Sequence, residues 1–425
     1  MPETAIAAGL LLPETSRTIA DEHLDELEKL IETAGGNVVA KMLARRTAPD
    51  AATFVGKGKA EEIKAVAEHH AAQLVVFDDD LSPAQVRNLE KITGVKVIDR
   101  SGLILDIFAG RARSREARTQ VELAQLEYTL PRLTRAWTHL ERQAGSIGTR
   151  GVGETQIELD RRIIRNRIAH LKEELRKIER TRVTQRKARG SAFTVALVGY
   201  TNAGKSTLFN QLTRGGAVAV DKLFATLDAK SQRAAFEMPR ETVVIDTVGF
   251  IRKLPHNLVA SFRSTMEEAV AADLVLHVID VSHPQYEEQR TVAEEVLKEL
   301  GVPAERVMEV YNKVDRAETM MRRKGAVAVS ALTGRNIDKL VEAIRERELA
   351  GGEVVQLEIP HAEAKLLAQL HEIGVIYEQR TDDETTYVTA WVPHNAGVPT
   401  AGYAASRRVD AETASGQPAR RRRAQ

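Results

Sequence analysis

The chain contains no cysteine, which excludes disulfides and thiolate-bound metals and fits a reducing compartment. Aromatic residues are scarce, at 4% of 425 residues, while hydrophobic content, at 43%, is ordinary and argues against wholesale disorder. No apolar run approaches the roughly 18 residues of a membrane helix. The N-terminus, with Glu3 and Glu14 around a short Ala/Leu patch, lacks the basic start of a signal peptide. The histidines show no metal spacing such as H-E-x-x-H. These absences read as a cytoplasmic protein with no membrane span. The net charge of +1 hides asymmetry, because basic residues gather between about 111 and 189 and again at the C-terminus.

What is present centres on Gly199-Tyr200-Thr201-Asn202-Ala203-Gly204-Lys205-Ser206, between an apolar run at 193–198 and a helical pattern at 207–212. It spells G-x-x-x-x-G-K-S in strand-turn-helix context. The glycines let the backbone wrap a phosphate, and successive N–H groups and the helix N-terminus face the anion. Lys205 reaches the outer phosphates and Ser206 offers its hydroxyl to Mg²⁺. The alternative is a glycine-rich turn that only joins a strand to a helix.

Downstream residues decide which nucleotide binds. Asp246-Thr247-Val248-Gly249-Phe250 ends a strand expected at 242–245, where a carboxylate can orient a metal-bound water and Gly249 can present its N–H to a γ-phosphate. Asn312-Lys313-Val314-Asp315 ends a strand expected at 306–311, and Ser330-Ala331-Leu332 follows another at 326–329. The Asp315 carboxylate can accept two hydrogen bonds from N1–H and N2–H₂ of guanine, an edge adenine cannot supply. Asn312 would meet the purine edge and bridge loops, the Lys313 stem would lie on the base, and the Ala331 N–H would point at O6.

Before the phosphate loop, helix and strand alternate over about 20–110, as in a small parallel sheet. The expected elements are helices at 21–34 and 59–71, strands at 37–43, 74–77 and 95–98, and a helix opened by Ser82-Pro83. Residues 1–20 show no element. Val55-Gly56-Lys57-Gly58-Lys59 is either a helix-opening turn or a phosphate contact. Two long helices follow, at 114–143 with a Pro131 kink and at 157–187, each with an apolar seam at coiled-coil spacing. They form an antiparallel hairpin with a glycine-rich tip at 145–153. Residues 160–189 hold twelve Lys/Arg against four Asp/Glu, a surplus suited to a polyanion such as folded RNA. Arg142, Arg150, Arg161, Arg162 and Arg165 are the candidate contacts. Residues 353–392 read as a βαββ module, and the tail ends in Arg420-Arg421-Arg422-Arg423, either solvated or an RNA tether.

With these motifs the chain resembles the translation-factor-class P-loop GTPases, and within them the HflX family of ribosome-associated GTPases. Further carriers are Phe224-Ala225-Thr226-Leu227-Asp228 and the segment GSIGTRGVGETQIELDRR at 145–162, the most family-specific of all. The resemblance implies GTP as substrate and Mg²⁺ held by Ser206 and by Thr226 of the first switch, with Asp246 acting through water. It implies Lys205, Thr226 and Gly249 as catalytic groups, and the large ribosomal subunit with its RNA as partner of a protein monomeric off the ribosome. Where Ras-like enzymes place a water-orienting glutamine stands Phe250, which cannot hydrogen-bond, so slow intrinsic hydrolysis and acceleration by the ribosome are expected. A rival reading is an RNA-binding assembly factor in which GTP is mainly a clamp.

The expected architecture is multidomain α/β. An α/β domain spans 1–112, the basic hairpin 113–190, a P-loop GTPase domain with a mostly parallel sheet 191–350, a small α+β module 351–393 and a disordered basic tail 394–425.

Overall fold

The computed structural model describes all residues except 1, 134–155, 189–191, 214–222, 225, 228, 237, 239, 254–265, 267, 318–324 and 395–425. The chain divides into two compact units. One comprises Met1–Arg180 with Val220–Asp228 and Ile251–Thr265, and the other Thr181–Ala219, Ala229–Phe250 and Met266–Gln425.

In the first unit strands and helices alternate as β1 (Thr4–Leu11), α1 (Arg17–Ala34), β2 (Asn37–Arg45), α2 (Lys57–His69), β3 (Leu74–Phe77), α3 (Pro83–Thr93), β4 (Lys96–Asp99) and α4 (Arg100–Arg111). The strands are parallel in the order β2-β1-β3-β4. The stretch that reads as a featureless start is thus β1, an interior strand. Its Ala5, Ile6, Ala7 and Ala8 are all fully buried. A strand covered on both faces carries no polar alternation, and small residues there give no β signal. α3 begins as expected, with Ser82 and Gln85 forming a reciprocal capping box and Pro83 in the first turn. Gly56 and the lysines after it open α2, where Lys59 pairs with Glu62 at 2.7 Å.

α5 (Arg115–Thr129) covers the first part of the helix expected at 114–143, and residues 134–143 lie outside the described residues. A 3-10 turn over Leu130–Arg132 interrupts the helical run at Pro131, which has no N–H and whose ring crowds the preceding turn. α6 (Gln156–Ala188) runs antiparallel to it, with Arg115 on Glu174 at 2.5 Å and Arg167 on Glu122 at 2.6 Å. Leu123 and Leu171 are the buried seam residues among those described. The tip at 145–153 lies outside the described residues, as does most of the helix expected around 255–270, of which residues 266 and 268–270 are described and helical.

The second unit contains β5 (Phe193–Gly199), α7 (Lys205–Thr213), β6 (Lys230–Arg233), β7 (Thr242–Asp246), β8 (Leu274–Asp280), α8 (Tyr286–Glu299), β9 (Val307–Asn312), β10 (Val327–Ala328) and α9 (Ile337–Ala350). Its six strands lie in the order β10-β9-β8-β5-β7-β6, all parallel except β6, which pairs antiparallel with β7. The strand order reverses at β5, and such a reversal opens a ligand crevice at the carboxyl ends of the strands. Val195, Leu197, Val244, Leu276, Val278 and Val310 form the core beneath it.

The expected βαββ order then appears as β11 (Gly352–Pro360), α10 (Ala364–Ile373), β12 (Val375–Thr381) and β13 (Thr385–Pro393), an antiparallel sheet in the order β11-β13-β12. Trp391 is packed in this sheet, 1% exposed, and its indole N–H donates to the Leu349 carbonyl at 3.1 Å. No described helix is long and apolar enough to cross a membrane.

Candidate functional site

The motifs of the second unit converge at the carboxyl ends of its parallel strands. The phosphate loop follows β5, Asp246 ends β7, Asn312 ends β9 and Ser330-Ala331-Leu332 follows β10. Asn312 stitches three of these segments together. Its amide Nδ2 donates to the Ala203 carbonyl at 2.8 Å, and its Oδ1 accepts the Ala331 N–H at 2.9 Å. A Cβ on Gly204 would stand 2.2 Å from Asn312 Nδ2, so only glycine lets the loop approach the amide. The Ala331 N–H, expected to point at a purine oxygen, is here committed to this joint.

Lys205 is buried, and its ammonium donates to the carbonyls of Gly199 at 3.1 Å and Tyr200 at 2.8 Å. Burial lowers its pKa to about 8, with Lys313 adding repulsion and Asp246 opposing. Beside it the Ser206 hydroxyl donates to Asp246 Oδ2 at 2.7 Å, and Asp246 is fully buried. Thr247 Oγ1 donates to the Leu197 carbonyl at 2.7 Å, locking the end of β7 to β5. The next residues bind the phosphate loop through backbone. Phe250 donates to the Gly199 carbonyl at 2.9 Å and accepts from the Thr201 N–H at 2.6 Å. The Phe250 side chain is 2% exposed and brings no hydrogen-bonding group to the site. Thr201 Oγ1 is buried and has no hydrogen-bond partner among the described residues.

At the base-side end, the Ser330 hydroxyl, with smaller help from Arg316 and Lys313, holds the Asp315 carboxyl below the usual carboxylate range. Lys313 has a left-handed backbone, φ 62°, and its ammonium pairs with Asp280 Oδ2 at 2.7 Å. Asp280 is a member that motif reading passed over. Its position at the end of β8, beside β9, was the available signal.

The second unit therefore brings together Gly199 to Ser206, Asp246 to Gly249, Asn312 to Asp315 and Ser330 to Leu332. Phe224, Thr226 and Leu227 belong to the first unit, where all three are buried, and Ala225 and Asp228 lie outside the described residues. Of the arginine candidates, Arg142 and Arg150 also lie outside them. Arg161 donates to the Leu133 carbonyl at 2.8 Å, and Arg162 and Arg165 are exposed on α6.

Residues 21–109 match a family profile described as GTP-binding GTPase N-terminal, and residues 111–189 one described as GTP-binding GTPase Middle Region. Residues 194–313 match a profile described as 50S ribosome-binding GTPase. A GTPase HflX of Magnetococcus marinus is 45% identical over 405 residues, covering 92% of this chain and 93% of its own. The GTPase HflX of Escherichia coli K12 is 45% identical over 375 residues, covering 85% and 88%. A GTP-binding protein from Sulfolobus solfataricus, solved in complex with GDP, aligns at 24% identity over 81% of this chain and 98% of that chain, with a TM-score of 0.42. Phosphate loop, base-side loops and relatives agree: the chain belongs to the HflX family of GTPases and is a GTP hydrolase.

Proposed function

We propose that the chain hydrolyses GTP with Mg²⁺ while associated with the large ribosomal subunit, and that it splits, rescues or recycles ribosomes in the cytoplasm. The observation that carries the nucleotide reading is the Asn312 joint, which holds the phosphate loop and the base-side loop in one rigid arrangement. The relatives named GTPase HflX and the match to a 50S ribosome-binding GTPase profile support the partner.

In this reading Lys205 exchanges its two carbonyl partners for β- and γ-phosphate oxygens and neutralises charge that develops on them. Gly199 to Gly204 supply backbone N–H groups, and the Thr201 hydroxyl meets a polyanion. The hydroxyl of Ser206 and the carboxylate of Asp246 are hard oxygen donors 2.7 Å apart, a set suited to Mg²⁺ that keeps most of its shell in water and phosphate. When bound, Mg²⁺ supplies charge stabilisation at the β and γ oxygens. Ser206 and Thr226 would hold it, and Asp246 would act through water. Gly249 senses the γ-phosphate, and Asp315 with Asn312 selects guanine. Phe250 orients no water, which assigns that task to a group supplied or ordered by the ribosome. The basic face of α6, with Arg162 and Arg165, meets ribosomal RNA, and the protein is monomeric off the ribosome.

Co-sedimentation with purified large subunits tests the coupling. Wild type should pellet with a non-hydrolysable GTP analogue more than with GDP, and Lys205→Ala should lose both turnover and that difference. Nucleotide-independent pelleting of both proteins would favour a passive RNA binder.

A further inference from the structure

β2 ends the sheet of the first unit, with β1 on one side and no described strand on the other. Its pairing decides which backbone groups are left over. The Arg46 N–H donates to the Leu11 carbonyl of β1 at 3.2 Å, and Leu11 stands opposite Arg45 in the parallel register. In a parallel ladder the N–H and C=O of one residue point the same way and those of its neighbours point the other. Counting back from Arg46, the backbones of Ala44 and Met42 bond to β1, while those of Lys41, Leu43 and Arg45 face away from it. Three donors and three acceptors at strand spacing therefore line a free edge, and a row of this kind is a template for one more strand.

A cavity of about 1070 Å³ follows that edge. Arg17, Asp21 and Leu24 of α1 wall one side, and Lys59, Val66 and His70 at α2 wall the other. Lys41 reaches Asp25 and Glu28 of α1 at 2.6 Å each, so the side chains of Lys41, Leu43 and Arg45 take the α1 side. Ala40 and Met42 take the opposite side, packed with the core under α2. The lining runs from Ala40 to Arg45, about 17 Å of strand at about 3.3 Å per residue, which suits an extended chain better than a compact ligand.

Charge narrows the occupant further. Five cations line the groove, Arg17, Lys41, Arg45, Arg46 and Lys59, against the single carboxylate of Asp21. Four of them hold carboxylates at the surface, Arg17 with Asp21 at 3.6 Å, Lys41 with Asp25, Arg46 with Asp50 at 3.8 Å and Lys59 with Glu62 at 2.7 Å. Pairs of this exposed kind are weak and exchange readily. Arg45 is exposed and has no carboxylate partner among the described residues.

We propose that the free edge of β2 takes an extended, acidic segment of another protein as a fifth strand of this sheet. The segment's backbone meets the outward groups of Lys41, Leu43 and Arg45, apolar side chains enter beside Leu43 and Met42, and carboxylates reach the cations of the rim. A nucleic-acid backbone presents no alternating donors and acceptors at this spacing. A second copy paired antiparallel about the midpoint of β2 sets Lys41 against Lys41, a like-charge contact at the centre of the joint. The chain's own tail, with Arg420 to Arg423, carries the sign of the groove itself.

The test titrates the full chain with three fluorescent probes: an octapeptide of four central valines with two glutamates at each end, the same peptide with lysines for glutamates, and a uridine octamer. Saturable binding of the acidic peptide is expected, at least roughly tenfold tighter than either other probe. Arg45→Glu should weaken it roughly tenfold and Arg45→Gln by about threefold. Arg45→Pro removes an outward N–H and leaves the ladder to β1 intact, so it should bind about fivefold more weakly than Arg45→Gln. Amide exchange read residue by residue should slow at Lys41, Leu43 and Arg45 on binding, with Met42 and Ala44 unchanged; in the free variants, protected Met42 and Ala44 report an intact sheet. Absent saturation overturns the proposal, and binding without the alternating protection overturns the added strand. Equal binding of the lysine peptide or the RNA overturns the acidic partner, as does a dimer of the chain that Arg45→Glu dissolves.

Discussion

A Cβ on Gly249 would stand 2.8 Å from the ammonium nitrogen of Lys205 and 2.8 Å from the Cα of Thr201. The two motifs therefore share one space, and a methyl group there displaces either the phosphate-binding lysine or the phosphate-loop backbone. Gly249→Ala should lower single-turnover GTP hydrolysis by roughly 10²-fold, the cost of displacing a reacting group by about 1 Å. Quenched-flow rates at saturating GTP check this, and a wild-type rate would show that Lys205 has room the packing denies it.

Asp315 should set the base. Asp315→Asn replaces an acceptor pair with an acceptor and a donor, which suits the N1–H and C2 carbonyl of xanthine better than the N1–H and N2–H₂ of guanine. Competition binding should show preference moving from GTP to xanthosine triphosphate by at least about tenfold. Retained GTP preference would mean that another group reads the base.

Much of this site was legible because it is written in local, contiguous residues. Gly199 to Ser206, Asp246 to Gly249 and Asn312 to Asp315 each follow one strand, so a motif and its strand end are read together. Long-range partners are different. The Arg252–Asp78 contact spans 174 residues, and nothing near either residue announces the other. β1 stayed hidden because its apolar residues are small and unbroken by polar ones, and α4 because LILDIF is apolar on most sides and carries weak helical periodicity. The break in the helical run at Leu130–Arg132 shows a local rule at work, because the proline at 131 was readable as the point of interruption.

Nucleotide binding should weaken above pH 8. Burial lowers the Lys205 pKa to about 8, so in the nucleotide-free protein the ammonium loses its proton as pH rises through that value. A polyphosphate binds the charged form, so apparent affinity should fall by up to tenfold per pH unit above about 8, with proton uptake on binding. Calorimetry with GDP between pH 7 and 9 in buffers of different ionisation enthalpy reads both. Flat affinity without proton uptake would contradict the burial of a charge-labile lysine.

Acid should destabilise the GTPase unit through His277. Burial in β8, reinforced by the charges of Arg290 and Lys205, lowers its pKa from 6.5 to about 4. Between these values the unfolded chain holds the extra proton, so the contribution is complete above pH 6.5 and is lost as pH falls to about 4. The limit is on the order of 3 kcal/mol, from about 2.5 units at 1.36 kcal/mol each. His277→Leu should flatten this limb in denaturant titrations at successive pH values, and an unchanged slope would assign it to other groups.

The central claim is a GTP hydrolase whose own residues bind and polarise the nucleotide but leave the attacking water unoriented, since Phe250 is buried and offers no polar group. GTP turnover with purified large subunits, small subunits or neither tests it most directly. The account predicts slow turnover alone and with small subunits, and acceleration of at least roughly tenfold by large subunits. Equal turnover under all three conditions would contradict it.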